Sequence, residues 1–234
     1  MRFFRFKQFQ ITDDHSAMKV GTDAVILGAW TKLQNINTVL DIGSGAGLLS
    51  LMLAQRNSAS SITAVEIDKG AVDDAKYNFS NSPWSNRLNV VHSDIRSFRA
   101  EEKFDLIISN PPFFKNSLLP DFSARAGARH DSNLSLDDLL IFVKQNLAHE
   151  GHFALVFPFD RETELLNLAK TIGLFPCKIM HTKNKSSAQI KRSFIEFSYN
   201  KNEAVKMDLL EIRNGESEYS AAYKRLTKEF YLKF

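Results

Sequence analysis

Short apolar runs alternate with amphipathic stretches through the middle of the chain, and each run has the length of a strand. Five such runs lie at positions 38–42, 62–66, 89–92, 104–108 and 151–157. Helical spacing of apolar residues occurs between and after them, at 48–56, 70–80, 136–148 and 162–172. Strands that alternate with helices predict a mostly parallel sheet with helices on both faces. Two further runs, at 177–181 and 193–199, raise the expected number of strands to seven.

The two ends of the chain carry shorter patterns. Phe4 and Phe6 alternate with basic residues, which predicts an edge strand with one buried face; the alternative is a platform for single-stranded RNA. Apolar positions over 24–30 predict a short helix. The last stretch, 219–234, predicts an amphipathic helix that runs into an aromatic tail.

No Pro-, Gly- or Ser-rich linker divides the chain, so we expect a single domain over 1–234. Its parts would be an N-terminal segment (1–37), an α/β core (38–200) and a C-terminal extension (201–234). Residues 109–132 form a long polar stretch without periodicity, which is typical of a functional loop or a disordered one.

Composition narrows the class of protein. Of 234 residues, 44% are hydrophobic and 24% charged, which excludes a disordered or fibrous chain. The net charge of +3 is compatible with a nucleic-acid partner without requiring one. Cys177 is the single cysteine and the histidines are scattered, so we expect no disulfide and no metal site. No apolar run is long enough for a membrane span, and no signal peptide is recognisable; we expect a cytoplasmic protein.

A glycine-rich loop follows the first core strand, with the sequence Asp41-Ile-Gly43-Ser44-Gly45-Ala-Gly47. Glycines allow a sharp turn and the close approach of a ligand to the backbone, and the following helix offers free N–H donors. A tight turn without a ligand is the alternative interpretation. The third glycine is not at the position that dinucleotide-binding loops use, and no Gly-Lys-Ser/Thr ending of a triphosphate loop is present.

Two acids end the next two strands, Glu66 in AVEID and Asp94 in HSDI. A carboxylate about twenty residues beyond the glycine loop is placed to accept the hydroxyls of a ribose. Asp94 is placed to accept a hydrogen bond from an adenine amino group. Either acid alone is commonly a solvated residue, but the series predicts a pocket for an adenosine that carries something other than a pyrophosphate.

The fourth core strand runs into Asn110-Pro111-Pro112-Phe113, followed by Phe114. Two prolines end a strand, and this is the simplest interpretation of the pair. The asparagine and the aromatic residues indicate more. The side-chain oxygen of Asn110 and the carbonyl of Pro111 are able to accept the two hydrogens of an exocyclic amine, and a Phe ring is able to stack on a planar substrate.

These motifs, in this order, resemble the class I S-adenosylmethionine-dependent methyltransferases that modify amino nitrogens, which have a Rossmann-like fold. MKVGTDAVILGAW, ARHDSNLSLDDLL and LTKEFYLKF resemble the tRNA(Val) adenine-N6 methyltransferase family, which methylates the adenine 3′ of the anticodon. The resemblance implies S-adenosylmethionine as cofactor, S-adenosylhomocysteine as product and tRNA as partner. It assigns catalysis to Asn110, Pro111, Pro112 and Phe113. It implies cofactor contacts for Lys19, Thr22, Asp23, Asp41, Gly43, Ser44, Gly45, Gly47, Glu66, Ile67, Asp94, Ile95 and Asn110.

Thr22 or Asp23 is expected to be the N-cap of the helix over 24–30 whatever its other role. Several basic residues are candidates for one RNA-binding surface, although a run of lysines is commonly a solvated loop. The candidates for substrate RNA are Phe113, Phe114, Arg125, Arg129, His130, Lys183, Lys185, Lys191 and Arg192. His130 is as compatible with a structural role as with a contact to the base.

Three alternatives to tRNA adenine methylation stay open. The same amine site would serve guanine N2 of ribosomal RNA, adenine of DNA, or a glutamine side chain of a protein. A non-catalytic RNA-binding protein on the same fold is the second alternative. A nicotinamide oxidoreductase is the third, and Leu48 and the Asn-Pro-Pro-Phe motif count against it. We expect a monomer.

Overall fold

The computed structural model describes residues 2–111, 134–215 and 218–233. In them the strands are β1 (Phe4–Arg5), β2 (Gln10–Ile11), β3 (Thr38–Ile42), β4 (Ser61–Glu66), β5 (Leu88–His92), β6 (Phe104–Ser109), β7 (Leu147–Pro158), β8 (Phe175–Lys183), β9 (Arg192–Ser198), β10 (Lys206–Glu211), β11 (Arg213–Asn214) and β12 (Glu218–Tyr219). The helices are α1 (Thr22–Trp30), α2 (Leu48–Arg56), α3 (Lys69–Ser80), α4 (Leu136–Asn146), α5 (Glu162–Thr171) and α6 (Ala221–Thr227).

The central sheet has eight strands in the order β10-β8-β9-β7-β6-β3-β4-β5 within the described residues. Its strands are parallel except for β9, which runs antiparallel to both β7 and β8. The carboxyl ends of β3, β4, β5 and β6 therefore meet at one edge of the sheet. Open parallel sheets bind ligands at this edge.

The two faces of the sheet are covered by different helices because side chains alternate along each strand. In β3, Val39 points into a core that α1, α2, α3 and α6 complete, whereas Leu40 points into the core under α4 and α5. Both residues are fully buried. Each buried aliphatic or aromatic side chain of this size stabilises the fold by roughly 1.5–3 kcal/mol. The sheet that carries the site is thus held from both sides.

The predicted α/β class and mostly parallel sheet are confirmed, but the predicted number of seven strands is wrong. The eighth strand, β10, comes from the C-terminal extension and lies at the sheet edge beside β8. Four of its six residues are exposed. An exposed edge strand needs no continuous apolar run, so its sequence resembles that of a loop.

Three further boundaries are corrected. Ala148 belongs to β7 and not to the preceding helix. Thr22 and Asp23 lie inside the first turn of α1, and its N-cap is Gly21, without a side-chain hydrogen bond. The C-terminal helix is limited to Ala221–Thr227.

The predicted N-terminal edge strand with one buried face is wrong, because β1 consists of two exposed residues and pairs with β2 in a small sheet separate from the central one. Phe6 is buried and stacks on Phe9 with ring centroids 4.6 Å apart, whereas Phe4 is exposed. The backbone N–H of Lys7 donates to the carbonyl of Phe230 at 2.8 Å, so the chain ends pack against each other. Among the described residues, no helix has the length and apolar character that crossing a membrane requires.

Candidate cofactor and substrate site

A cavity of about 300 Å³ opens at the carboxyl edge of the sheet, between β3, β4, β5 and β6. Its walls include the glycine loop, the residues after β4 and β5, and Asn110 after β6. A stretch of the N-terminal segment forms another wall. The volume falls at the lower end of the range of small-molecule sites, and most of the lining is apolar.

The glycine loop turns sharply between β3 and α2. Gly43, Gly45 and Gly47 have φ values of +67°, +54° and +86°, a region that other residues rarely adopt. A side chain at Gly43 or Gly45 would meet no protein atom within 4 Å, but a Cβ at Gly47 would lie 2.4 Å from the Phe79 ring. Gly43 and Gly45 thus leave backbone open towards the cavity, whereas Gly47 is required for packing.

Glu66, at the end of β4, is held against the glycine loop. Its Oε2 accepts the N–H of Gly45 at 2.8 Å, and its Oε1 accepts those of Ile67 and Asp68 at 2.8 and 2.9 Å. The side chain is nearly buried and lines the cavity. Backbone donors on both oxygens fix the orientation of the carboxylate, and Oε2, which accepts one of these bonds, keeps acceptor capacity for a hydroxyl.

Asp94, after β5, also lines the cavity and is oriented by its neighbour Arg96. The Arg96 Nε donates to both carboxylate oxygens, at 3.0 and 2.9 Å, and the Arg96 backbone N–H donates to Oδ1 at 2.8 Å. These bonds from Arg96 hold the pKa of Asp94 below its ordinary value, so it stays an acceptor at neutral pH. Ile95 is buried beside it on the cavity wall.

Asp41, the fourth of the five residues of β3, precedes the glycine loop and is fully buried. Ser50 donates to one of its oxygens, and Oδ1 has no hydrogen-bond partner in the described residues. Burial raises the pKa of Asp41 to about 7, partly offset by the bonds from Ser50. A buried acceptor without a partner indicates that a donor from a ligand or water belongs there.

Asn110 is half-buried on the cavity wall where β6 ends, and Pro111 behind it is buried. The hydroxyl of Ser109 donates to the carbonyl of Ile42 at 2.9 Å, which ties the end of β6 to the end of β3. The predicted amine-binding residue and the glycine loop therefore open onto one cavity. The remaining residues predicted in this region lie outside the described residues: Pro112, Phe113, Phe114, Arg125, Arg129 and His130.

The N-terminal candidates separate into two groups. Lys19 lines the cavity, whereas Thr22 and Asp23 are not among its lining residues. Thr22 is exposed, and the carboxylate of Asp23 pairs with the Nε of Arg192 at 2.9 Å. The sequence predicts Asp23 at the cofactor and Arg192 at the RNA, and it does not predict a contact between the two. The structure joins these residues, which are 169 positions apart.

The lysines predicted to bind RNA differ in how exposed their side chains are. Lys191 is exposed. Lys183 is mostly buried; its Nζ pairs with Glu211 at 3.0 Å and donates to the carbonyl of Ser186 at 2.8 Å. Lys185 is half-buried. Lys191 is thus better placed than Lys183 to meet a phosphate.

Sequence reasoning missed the wall that residues 13–20 contribute, apart from Lys19. Two buried polar side chains of α3, Asp74 and Asn78, hold this stretch through hydrogen bonds. A signal existed in the sequence, because polar residues at positions 74 and 78 fall on the apolar face of an amphipathic helix.

Comparison with known proteins defines the class and then the family. Residues 15–157 match the family model "Methyltransferase small domain". Among solved structures, a predicted O-methyltransferase from Agrobacterium tumefaciens aligns with a TM-score of 0.69 at 17% identity, over 89% of this chain and 96% of that one. Ribosomal protein L11 methylase from Lactobacillus delbrueckii aligns with a TM-score of 0.57 at 16% identity, over 80% and 82%. The fold and cavity are those of a Rossmann-like class I methyltransferase.

Two curated relatives identify the family more narrowly. A tRNA1(Val) (adenine(37)-N6)-methyltransferase from Bacteroides fragilis is 44% identical over 99% of this chain and 98% of its own length. One of the same name from Pseudoalteromonas translucida is 42% identical over the full length of both chains. The chain belongs to the tRNA1(Val) (adenine(37)-N6)-methyltransferase family, whose methyl donor is S-adenosylmethionine.

The cavity fits this methyl donor. It presents a fixed carboxylate at Glu66 and a second one at Asp94. Asp41, whose Oδ1 has no partner in the described residues, is fully buried and is not among the residues that line the cavity. S-adenosylmethionine carries ribose hydroxyls, an adenine amino group and an ammonium group, all of which are donors. The open backbone at Gly43 and Gly45 leaves room that a Cβ would fill.

Proposed function

We propose that the protein transfers a methyl group from S-adenosylmethionine to N6 of an adenine in tRNA, the adenine 3′ of the anticodon of a valine tRNA. One observation carries the proposal: Asn110 opens onto the cavity that Glu66 and the glycine loop line. An amine held at Asn110 would lie at the methyl end of a cofactor bound along these loops. The names of the full-length relatives support tRNA adenine as the substrate.

The proposed cofactor contacts are inferred from the positions of the residues around the cavity. Glu66 would accept the ribose hydroxyls, Asp94 the adenine amino group, and the loop with Asp41, Gly43, Ser44 and Gly45 would hold the methionine end. Ile67 and Ile95 would pack against the adenine, since both line the cavity beside the two acids. Lys19 lies on the opposite wall. For Thr22 and Asp23 we propose an indirect role, because Asp23 orients Arg192.

The methyl transfer needs positioning more than acid–base catalysis. When bound, S-adenosylmethionine supplies an electrophilic methyl group on a sulfonium. The side-chain oxygen of Asn110 and the carbonyl of Pro111 accept the two amine hydrogens, which favours a pyramidal nitrogen with an available lone pair. The carbon–sulfur bond of the donor would break as the carbon–nitrogen bond forms, and the extra proton on nitrogen would leave to water. Orientation of this kind supplies up to roughly 7–11 kcal/mol in the best cases.

The target adenine must leave its stack to reach Asn110, which costs on the order of a few kcal/mol. Stacking on Phe113 or Phe114 would offset part of this cost. The tRNA backbone or bases would be held by the basic residues Arg125, Arg129, His130, Lys185, Lys191 and Arg192. We also propose that the enzyme acts as a monomeric single domain in the cytoplasm, where its tRNA substrate is found.

The test is methyl transfer from labelled S-adenosylmethionine to tRNA from a strain that lacks this gene, followed by digestion to nucleosides. Ribosomal RNA, DNA and a protein extract are assayed in parallel. We expect label in N6-methyladenosine from tRNA alone. Asn110→Ala should abolish the label, whereas Asn89→Ala, an exposed position on β5, should not. Label in another polymer would overturn the substrate, and tight cofactor binding without label anywhere would favour a non-catalytic RNA-binding protein.

A further inference from the structure

Helix α3 carries two polar side chains on its buried face. Asp74 and Asn78 are each only 2% exposed and lie one helical turn apart, among the apolar residues Ala71, Ala75 and Phe79. Burying a carboxylate and an amide is unfavourable unless both are fully hydrogen-bonded. Their partners lie in the N-terminal segment and in the glycine loop.

Asp74 binds the N-terminal segment through four hydrogen bonds. Its Oδ2 accepts the backbone N–H groups of His15 and Ser16, each at 2.9 Å, and the hydroxyl of Ser16 at 3.1 Å. Its Oδ1 lies 2.8 Å from Nδ1 of His15. Burial by itself would raise the pKa of Asp74, but the bonds from His15 and Ser16 lower it below the ordinary value. The group therefore remains a carboxylate at neutral pH.

Asn78 joins two walls of the cavity. Its Oδ1 accepts the N–H of Thr12 at 2.9 Å, and its Nδ2 donates to the carbonyl of Thr12 at 2.8 Å. The same Nδ2 donates to the carbonyl of Ala46 in the glycine loop at 2.9 Å. One amide group thus fixes the distance between the N-terminal segment and the loop that opens onto the cavity.

The stretch held in this way is not part of any strand. Residues 12–21 have no sheet pairing, and the stretch closes on itself where the carboxylate of Asp13 accepts the N–H of Val20 at 2.9 Å. Asp13, Ser16 and Lys19 are among its residues that line the cavity. Neither Asp74 nor Asn78 lines it.

We propose that Asp74 and Asn78 are positioning residues that set the affinity for S-adenosylmethionine without touching it, by holding residues 12–20 in place as a preformed wall. Without these bonds the segment is ordered only when the cofactor binds, and the cost of that ordering is subtracted from the affinity. The proposal rests on the cofactor of the proposed function and not on its nucleic-acid substrate.

The first test is the affinity for S-adenosylhomocysteine, measured by calorimetry on isosteric variants with matched controls. Asp74→Asn removes the negative charge that accepts from His15 and Ser16, and Asn78→Asp places a carboxylate against two carbonyls. Asp73→Asn on the exposed side of the helix and Asn81→Asp at its exposed C-cap make the same changes. We expect the dissociation constant to rise about tenfold or more in the two buried variants, as for loss of a hydrogen bond to a charged group, and less than twofold in the controls.

The second test is trypsin cleavage after Lys19, whose side chain is 58% exposed. Cleavage should be faster in Asp74→Asn than in wild type or Asp73→Asn, and saturating S-adenosylhomocysteine should suppress it. In methyl transfer, KM for S-adenosylmethionine should rise in step with the dissociation constant, whereas kcat and KM for tRNA should change less than twofold. A residue that only stabilises the fold would not give this separation.

His15→Ala gives a milder variant in case Asp74→Asn does not fold, since it removes the Nδ1 contact and keeps the backbone bonds. We expect a twofold to threefold loss of affinity, and none when the change is added to Asp74→Asn. Wild-type affinity and wild-type cleavage in the folded variants would overturn the proposal. Weak binding and fast cleavage in an enzyme that methylates no tRNA would support it and contradict the proposed substrate instead.

Discussion

Ser50 donates both its backbone N–H and its hydroxyl to one oxygen of Asp41, at 3.2 and 2.7 Å, and leaves the other carboxylate oxygen without a partner in the described part of the chain. The buried carboxyl therefore carries half of its possible hydrogen bonds. It precedes the glycine loop, and its pKa of about 7 has consequences for stability.

We expect the free energy of unfolding of the cofactor-free protein to change with pH as Asp41 ionises. Its pKa is raised in the folded state from 3.8 to about 7, so the folded state binds the proton more tightly. The favourable contribution is full below pH 4 and is lost as the pH rises towards 7. Between pH 5 and pH 8, the free energy of unfolding of wild type should fall by at most about 3 kcal/mol relative to that of Asp41→Asn. Urea denaturation measures both proteins. Identical pH dependence in the two proteins would contradict the raised pKa.

Alanine at Gly47 should mainly reduce stability, whereas alanine at Gly45 should mainly block cofactor binding. Gly47→Ala adds a Cβ 2.4 Å from the Phe79 ring at a φ of +86°, and we expect a loss of roughly 2–4 kcal/mol of stability. Gly45→Ala meets no protein atom and should cost only about 1–2 kcal/mol. It should nevertheless abolish binding of S-adenosylhomocysteine, because its Cβ points into open space at the cavity.

Thermal unfolding and calorimetry separate the two glycines. Gly173→Ala is the control for the backbone effect alone, since its φ is +83°, no atom lies within 4 Å of its Cβ, and it does not line the cavity. Normal cofactor binding by a folded Gly45→Ala protein would show that the cofactor does not approach this part of the loop.

Glu66→Gln should weaken binding of S-adenosylhomocysteine by about tenfold or more. An amide NH₂ is not able to accept from Gly45 on one side or from Ile67 and Asp68 on the other, so a donor is left unpaired in either orientation. Calorimetry at pH 7.5 measures the effect. Glu211→Gln changes a carboxylate outside the cavity and should bind as wild type; equal affinity of both variants would refute a ribose contact.

Lys191→Ala should weaken binding of tRNA and reduce the slope of log affinity against log salt by about one. Its side chain is exposed, whereas Lys183 is engaged by Glu211 and the Ser186 carbonyl. Lys183→Ala is therefore the matched comparison and should leave the slope unchanged. Fluorescence anisotropy at several salt concentrations tests both, and a larger change for Lys183 would reverse our assignment.

The sequence by itself determined the central elements and the order of the site. β3 and α2 match their predicted bounds because Gly43 and Asn57 interrupt the local pattern on each side. Glu66, Asp94 and Asn110 were assigned to one site because each ends a strand of a parallel sheet, and such ends meet at one edge. Periodicity and chain order are local properties, and they are sufficient for these conclusions.

Only the tertiary structure decided where the edge strand lies and which distant segments complete the site. The strand β10 has no buried run to reveal it, since it lies at an exposed edge. The bonds of Asp74 and Asn78 to residues 12–16 span 58 to 66 positions, and the pair of Asp23 with Arg192 spans 169. Contacts of this kind form because packing brings distant segments together, and no local pattern in a single sequence records which partner a buried polar group will meet.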